Sequence, residues 1–250
     1  MSLPPALAAA LRDLAAVPGL LVASDYDGVL SEITTDPAKA VPVPGAVAAL
    51  RGLAALPATT VAVVSGRARA DLAAVSGLPP EVILVGSHGS EPAGGLRLSP
   101  AQADLRARLE SEVRTLVDGH PGVRVETKPA AVVVHTRTAA RPVAAQVTEA
   151  TLAGPATWPG VHVTTGKEVV ELAVVETHKG TALAALRAES DADAVLFLGD
   201  DVTDENGFAV LGPGDVGVKV GPGETRAGFR IPDPTTAVRV LDLLRQLRAA

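Results

Sequence analysis

The order of apolar and polar positions along this chain of 250 residues predicts strands that alternate with helices. Short aliphatic runs rich in valine are separated by Ala/Leu-rich stretches in which apolar residues recur every three or four positions. Because continuously apolar strands joined by helices are typical of parallel sheets covered on both faces, we expect an α/β fold with a Rossmann-like parallel sheet. The expected elements, after an amphipathic first helix, are strand 20–24, helix 44–56, strand 60–65, helix 69–77, strand 82–87, strands 195–200 and 216–221, and helix 235–250.

The middle of the chain has a different pattern. A long charged helix precedes two strand-like runs, and a second helix precedes two more, in the order αββαββ. This order predicts a small antiparallel sheet with two helices, inserted into the parallel domain. We place the inserted domain at 99–172 and the two parts of the parallel domain at 1–98 and 173–250. The expected elements of the insertion are helix 100–119, strands 123–128 and 131–137, helix 141–154, and strands 161–165 and 168–172.

Composition narrows the possible classes of partner. The formal net charge is −6, which argues against electrostatic binding to nucleic acid or to an anionic membrane surface. The chain has no cysteine, so disulfides, thiolate nucleophiles and zinc–thiolate sites are excluded. No apolar run approaches the length of a membrane span. We therefore expect a cytoplasmic monomer that acts on a small molecule.

Two aspartates, Asp25 and Asp27, follow the first apolar strand, with Gly28 behind them. In a strand, residues i and i+2 face the same side, so the two carboxylates are expected to lie close together. At about 4 Å and an effective dielectric constant near 20, they would repel each other by roughly 4 kcal/mol. A bound cation must offset this repulsion, or one of the two groups must carry a proton.

Three further segments place polar residues where a strand ends or a helix begins. Ser65 and Gly66 end the second strand, Lys179 begins a helix, and acidic residues follow the strand that ends near Gly199. Because ligands gather at the carboxyl edge of a parallel sheet, these side chains are expected to converge there. Acids in two clusters favour Mg²⁺, which binds a few carboxylates together with water and phosphate oxygens. The acids of the second cluster are Asp200, Asp201, Asp204 and Glu205.

These residue types suit phosphoryl transfer. A carboxylate can attack phosphorus to give an acyl phosphate that water then hydrolyses. The charge of the ester would be neutralised by the cation, by Lys179 and by donors such as Ser65. The second aspartate would supply a proton to the leaving alcohol. Only five of the 22 basic residues are lysines, so each lysine is a candidate for a special role.

Taken together, these motifs resemble the haloacid dehalogenase superfamily of phosphatases, whose DxDG, S/T-G, K-G and GDDxxD segments occur here in order. Within that superfamily the chain resembles the trehalose-6-phosphate phosphatases over nearly all of residues 20–245. The more specific matches are DYDGVLSEI, SGR, GSHGSE (86–91), VETK, VVVHTR, TTGKEVVEL and LGDDVTDENGF. The resemblance implies Mg²⁺-dependent hydrolysis of trehalose 6-phosphate to trehalose and phosphate, and an inserted domain that is a C2-type cap.

The resemblance also implies roles for individual residues. Asp25 would be the nucleophile and Asp27 the general acid and then base, while Ser65 and Lys179 complete the catalytic set. The metal ligands would be Asp25, Asp27 through its backbone carbonyl, and Asp200, with Asp201 and Asp204 supporting the site and ordering Lys179. The expected substrate-binding residues are Gly66, Arg67, His88, Glu126, Lys128, His135, Arg137, Lys167 and Glu171.

Three positions depart from the family pattern. Val29 replaces the usual threonine after DxDG, Thr136 replaces the tyrosine of HYR, and Pro92 directly follows SHGSE. These changes leave the phosphoryl chemistry intact but bear on which sugar is bound. A phosphatase for another sugar or pseudo-disaccharide phosphate is the main alternative, and a phosphomutase or a receiver-type signalling module is more remote.

Several residues also have structural interpretations. His88 could brace its loop rather than contact substrate, and Ser65 could cap the following helix. The charged residues of the cap strands could form a solvated cross-strand ladder.

Overall fold

The computed structural model describes residues 3–34, 36–95 and 97–250, which divide into two compact units. The first unit comprises the described residues up to Gly94 together with Thr177–Ala250, and the second is Gly95–Glu176. None of the helices in these ranges combines the length and apolarity needed to cross a membrane.

A parallel six-stranded sheet forms the centre of the first unit, as the apolar runs predict. Its strands lie in the order β10-β9-β8-β1-β2-β3, and every neighbouring pair is parallel. The strands are β1 (Leu20–Ser24), β2 (Thr59–Val64), β3 (Ile83–Val85), β8 (Ala194–Gly199), β9 (Val216–Val220) and β10 (Phe229–Ile231). The three-residue strand β10 was not predicted, because it is too short for a periodic signal.

Helices cover both faces of this sheet. Because alternate residues of a strand point to opposite sides, each strand contributes side chains to a core on either face. Leu20 and Val22 pack in one core with α1, α2 and α8, while Leu21 and Ala23 pack in another with α6 and α7. All five residues of β1 are therefore buried, which explains its continuously apolar sequence up to Ser24. The helices are α1 (Pro5–Ala15), α2 (Ala46–Ala54), α3 (Arg69–Ser76), α6 (Lys179–Ser190), α7 (Glu205–Phe208) and α8 (Pro234–Arg248).

The second unit has the αββαββ order that its sequence predicts. Its antiparallel sheet has the strand order β4-β5-β7-β6. Val132 and Val134 face a core that includes Leu109 and Val113 of α4 and Val147 of α5. The elements are α4 (Pro100–Val117), β4 (Arg124–Thr127), β5 (Ala131–His135), α5 (Arg141–Ala153), β6 (His162–Gly166) and β7 (Val169–Ala173).

Candidate active site

Asp25 is held at the carboxyl edge of the parallel sheet. Strand β1 ends at Ser24, and the backbone N–H of Asp25 donates to the carbonyl of Leu198 in β8 at 2.9 Å. Its side chain is nearly buried, with 5% of the residue exposed. One carboxylate oxygen accepts from the N–H of Tyr26 at 2.7 Å, and the other lies 2.8 Å from Nζ of Lys179.

Lys179 links the two acidic segments of the chain. It is the first residue of α6, whose start is capped by the ring of His178, which accepts the N–H of Thr181 at 3.2 Å. Its Nζ lies 2.8 Å from Asp25 and 2.7 Å from Asp204. Burial lowers the pKa of Lys179, but the two carboxylates outweigh it and raise the pKa above its ordinary value. The lysine is therefore a fixed positive charge between two acids.

The loop after β8 is organised around the buried carboxylate of Asp204. Its Oδ1 accepts from Lys179, while its Oδ2 accepts the backbone N–H groups of Asp200 at 2.9 Å and Asp201 at 3.0 Å. A side chain at Gly199 would overlap Asp204, so glycine is needed where this carboxylate crosses the strand end. The carboxylate of Asp201 accepts the N–H of Val202 at 2.5 Å and so shapes the loop itself.

Three carboxylates form a group that fits a divalent cation. Asp25, Asp200 and Asp204 each offer an oxygen within 4.8 Å of the others. Burial raises the pKa of Asp25 to about 7, with Lys179 opposing the shift and Asp204 adding to it. Burial, followed by Asp204, raises the pKa of Asp200 to about 6. Hard oxygen donors whose negative charge is only partly neutralised are the ligands that Mg²⁺ prefers. Asp25 and Asp200 line a common cavity, whereas Asp204 is 0% exposed, so Asp25 and Asp200 are the better placed to coordinate the ion.

Gly28 brings the two acidic segments together. Its φ of +76° lies in the left-handed region, and a side chain there would overlap the carboxylate of Asp200. The glycine of the DxDG motif thus permits both the turn and the close approach of the Asp200 carboxylate to the backbone.

The spacing of Asp25 and Asp27 predicted an uncompensated repulsion between their carboxylates, but the carboxylate of Asp27 is paired with an arginine. The strand ends before either residue, and Arg67 binds both oxygens of Asp27, from Nε and Nη2 at 2.7 Å each. The guanidinium also lies 5.7 Å from the ring centre of Tyr26. The acid that raises the pKa of Asp25 is Asp204, from the far end of the sequence.

Ser65, Gly66 and His88 form one wall of the site. Helix α3 has Ala68 at its N-cap, so the alternative interpretation of Ser65, as the cap of this helix, does not hold. Instead, Oγ of Ser65 accepts the N–H of Arg67 at 3.2 Å, and the backbone carbonyl of Ser65 accepts the N–H of His88 at 2.9 Å. A side chain at Gly66 would overlap the ring of His88, so that ring lies directly against the glycine.

These residues line a cavity of about 1040 Å³ within the first unit. The cavity brings together the residues predicted for catalysis and for the metal site, with the exception of Asp204, which is fully buried and does not line it. Glu32, Asp71 and Thr203 also line it and were not predicted, because no local motif marks them. The predicted residues in the lining are Asp25, Asp27, Ser65, Gly66, Arg67, His88, Lys179, Asp200 and Asp201.

The other six predicted substrate-binding residues lie in the second unit, where they include one ion pair and one contact between a histidine and a carboxylate. Lys128 lies 2.8 Å from Glu171, and His135 Nε2 lies 2.8 Å from Glu126. Glu126 and Glu171 both pair with Val133 across the sheet, so they share the face away from the cap helices. That face is therefore a charged surface.

The other two predicted cap residues are more exposed. Arg137 lies 3.7 Å from Glu168, with 76% of its side chain exposed, and Lys167 is exposed in the turn between β6 and β7.

A parallel core interrupted by an α+β unit, with an aspartate after the first strand, defines the haloacid dehalogenase-type fold with a cap domain. The sequence model of the trehalose-phosphatase family matches residues 23–230. This chain belongs to that family.

Individual relatives agree with this assignment. The trehalose-phosphate phosphatase of Mycobacterium marinum is 39% identical over 250 residues, covering 93% of this chain and 63% of the relative. That of Mycobacterium bovis is 38% identical over 244 residues, covering 90% of this chain and 61% of the relative. The chain thus spans less than two thirds of the length of these relatives.

Solved structures show the same fold over most of the chain. The trehalose-6-phosphate phosphatase of Aspergillus fumigatus superimposes with a TM-score of 0.73 at 27% identity, covering 98% of each chain. A trehalose-6-phosphate phosphatase related protein gives a TM-score of 0.61 at 26% identity, covering 92% of this chain and 98% of that one. The α/β fold with an inserted domain, predicted from the sequence, is confirmed.

Proposed function

We propose that this chain hydrolyses trehalose 6-phosphate to trehalose and phosphate through an aspartyl-phosphate on Asp25, with Mg²⁺ as cofactor. The observation that carries the proposal is the buried Asp25 at the base of the cavity, 2.8 Å from Lys179 and grouped with Asp200 and Asp204. The similarity to the trehalose-phosphate phosphatases of Mycobacterium and Aspergillus supports the choice of substrate.

In the first step, the carboxylate of Asp25 attacks phosphorus, and the bond from phosphorus to the sugar oxygen breaks. Asp27 donates a proton to that departing oxygen. In the second step, Asp27 takes a proton from water, whose oxygen attacks phosphorus and releases phosphate from Asp25. Since Arg67 binds both oxygens of Asp27 in this conformation, the pair must open before Asp27 can donate a proton.

The remaining residues prepare this chemistry. Lys179 and the N–H of Tyr26 fix the direction of the Asp25 carboxylate, so little reorganisation is needed before attack. Asp25 and Asp200, with the backbone carbonyl of Asp27, would hold Mg²⁺. When bound, the ion would offset the repulsion between carboxylates and polarise the phosphate oxygens.

We further propose that the charged face of the cap sheet binds the sugar. Lys128 and Glu171 are only about one third exposed, at 31% and 28%, and they already orient each other. Paired charges of this kind contribute only about 0–1 kcal/mol to stability, so binding hydroxyl groups costs the fold little. A monomeric state and a cytoplasmic location are further proposals, which rest on composition alone.

The test is a phosphate-release assay over a panel of sugar phosphates, with Mg²⁺ and with chelator. We expect trehalose 6-phosphate to be the best substrate and the chelator to abolish release. Asp25→Asn should remove turnover while leaving the circular dichroism spectrum unchanged. Full activity in that variant would contradict the covalent route, and faster release from another sugar phosphate would contradict the substrate assignment.

A further inference from the structure

Lys219 is a buried lysine to which the phosphatase mechanism gives no role. It lies in β9, where all five residues are buried, and only 3% of its surface is exposed. Lysine is almost never buried to this extent unless its ammonium is paired. The signal in the sequence was a charge inside the apolar run VGVKV, in a chain with only five lysines.

Its ammonium binds backbone carbonyls rather than carboxylates. Nζ donates to the carbonyl oxygen of Asp200 and, at 3.2 Å, to that of Val220. Within the described parts of the chain, Lys219 forms no ion pair, whereas the other buried lysine, Lys179, forms two. Burying an ammonium on carbonyl groups alone is costly, so a role beyond packing is expected.

The contact holds the one polar backbone group of Asp200 that Asp204 does not hold. In the sheet, Lys219 pairs with Gly199, which places it directly beside the start of the acidic loop. Asp204 accepts the N–H of Asp200 at 2.9 Å, and Lys219 donates to its carbonyl. Both polar backbone groups of Asp200 are therefore held by buried side chains from different elements. Only the carboxylate remains to turn, and it lies within 4.8 Å of those of Asp25 and Asp204.

We propose that Lys219 is a positioning residue, which orients Asp200 for a divalent cation by holding its backbone carbonyl. The inference rests on the proposed magnesium site. The direction of the change in Mg²⁺ affinity on removal of Lys219 distinguishes positioning from a purely electrostatic effect of the same charge. An ammonium close to a cation site repels the cation, so at a pH well above the pKa of Asp200, where that carboxylate is ionised, its removal alone would tighten binding. If Lys219 acts by positioning, its removal weakens binding instead.

The experiment is calorimetric titration of chelator-treated protein with MgCl₂ at about pH 8.5, without substrate, so that Asp200 is ionised in every protein compared. Lys219→Met keeps the length of the side chain and removes the donor. We expect its dissociation constant for Mg²⁺ to rise by about 10- to 100-fold, as is usual when a residue behind a metal ligand is lost. Lys39→Met, at a lysine whose side chain is 79% exposed, should bind as the wild type does. An unchanged or lower dissociation constant in Lys219→Met would overturn the proposal.

Two features keep the test decisive. If the wild type itself binds no Mg²⁺, the proposed metal site fails before any variant is compared. If Lys219→Met does not fold, ¹⁵N NMR of the lysine ammonium groups in the wild type gives the answer. The ammonium signal of Lys219 should shift on saturation with Mg²⁺ while that of Lys39 does not. A Lys219 signal that stays in place would refute the coupling.

Discussion

Replacing Lys179 with methionine would leave two buried carboxylates without the cation that they share. Lys179 is 2% exposed, its partners Asp25 and Asp204 are 5% and 0% exposed, and both ion-pair distances are below 3 Å, at 2.8 and 2.7 Å. Removing one partner from a buried ion pair typically costs about 3–5 kcal/mol, because a charge is left uncompensated. For a chain of this size, that loss lowers the midpoint of thermal unfolding by about 10 °C.

The cost should depend on pH in a definite direction. Burial raises the pKa of Asp25 to about 7 even with Lys179 present, and loss of the lysine raises it further. A carboxyl whose folded pKa is raised destabilises the fold above that pKa, and the penalty shrinks as pH falls toward the unfolded value. We therefore expect the difference between Lys179→Met and the wild type to be large at pH 8 and smaller at pH 5.5.

The assay is thermal unfolding followed by circular dichroism at both pH values, in the presence of chelator. Lys39→Met is the matched control, since Lys39 is exposed and pairs with Asp36 at 3.1 Å on the surface. Its effect should stay within about 0.5 kcal/mol. If Lys179→Met unfolds at the same temperature as this control at pH 8, the account of a buried, charge-compensating lysine is wrong.

Three further predictions follow from the site. Asp27→Asn should lower turnover of trehalose 6-phosphate by about 10²–10⁴-fold with substrate binding retained. Turnover of an aryl phosphate should fall less, because a phenolate leaves without a proton, and equal losses on both substrates would argue against the general-acid role. Lys128→Ala and Glu171→Ala should raise KM for the disaccharide phosphate but not for the aryl phosphate, and parallel changes would argue against a sugar-binding role. Gly28→Ala should weaken Mg²⁺ binding measured by calorimetry, because the new methyl group would overlap the Asp200 carboxylate and the φ of +76° at this position disfavours a side chain. Wild-type affinity in this variant would show that the loop adjusts freely.

The fold was largely predictable because its signals are local. Continuous apolar runs marked β1, β2, β8 and β9, and the helical spacing of leucines marked α2 and α8. Strand β10 has three residues in a stretch rich in glycine and proline, so no period could mark it. The four-residue helix α7 was missed for the same reason.

The partners of the site residues were less predictable, because hydrogen bonds join residues far apart in sequence. Asp27 was expected to repel Asp25, yet its carboxylate pairs with Arg67, forty residues away. The sequence left open whether Ser65 caps a helix, and in the structure its hydroxyl accepts the N–H of Arg67 two residues on. The sequence showed that Lys219 is a charge within an apolar strand, but it could not show which group accepts its hydrogen bond.

The sequence by itself determined which residues stand at the carboxyl ends of the parallel strands, because apolar periodicity sets where each strand stops. It thereby selected Asp25 and Asp200, which follow strands, as neighbours of Lys179, which begins a helix. Only the tertiary structure decided how the charges are shared among them. Asp204, not Asp27, is the acid that faces Asp25, and Lys219 holds the backbone of Asp200. Such choices depend on side-chain directions within a few ångströms, and these directions are set by packing between elements rather than by any repeat along the chain.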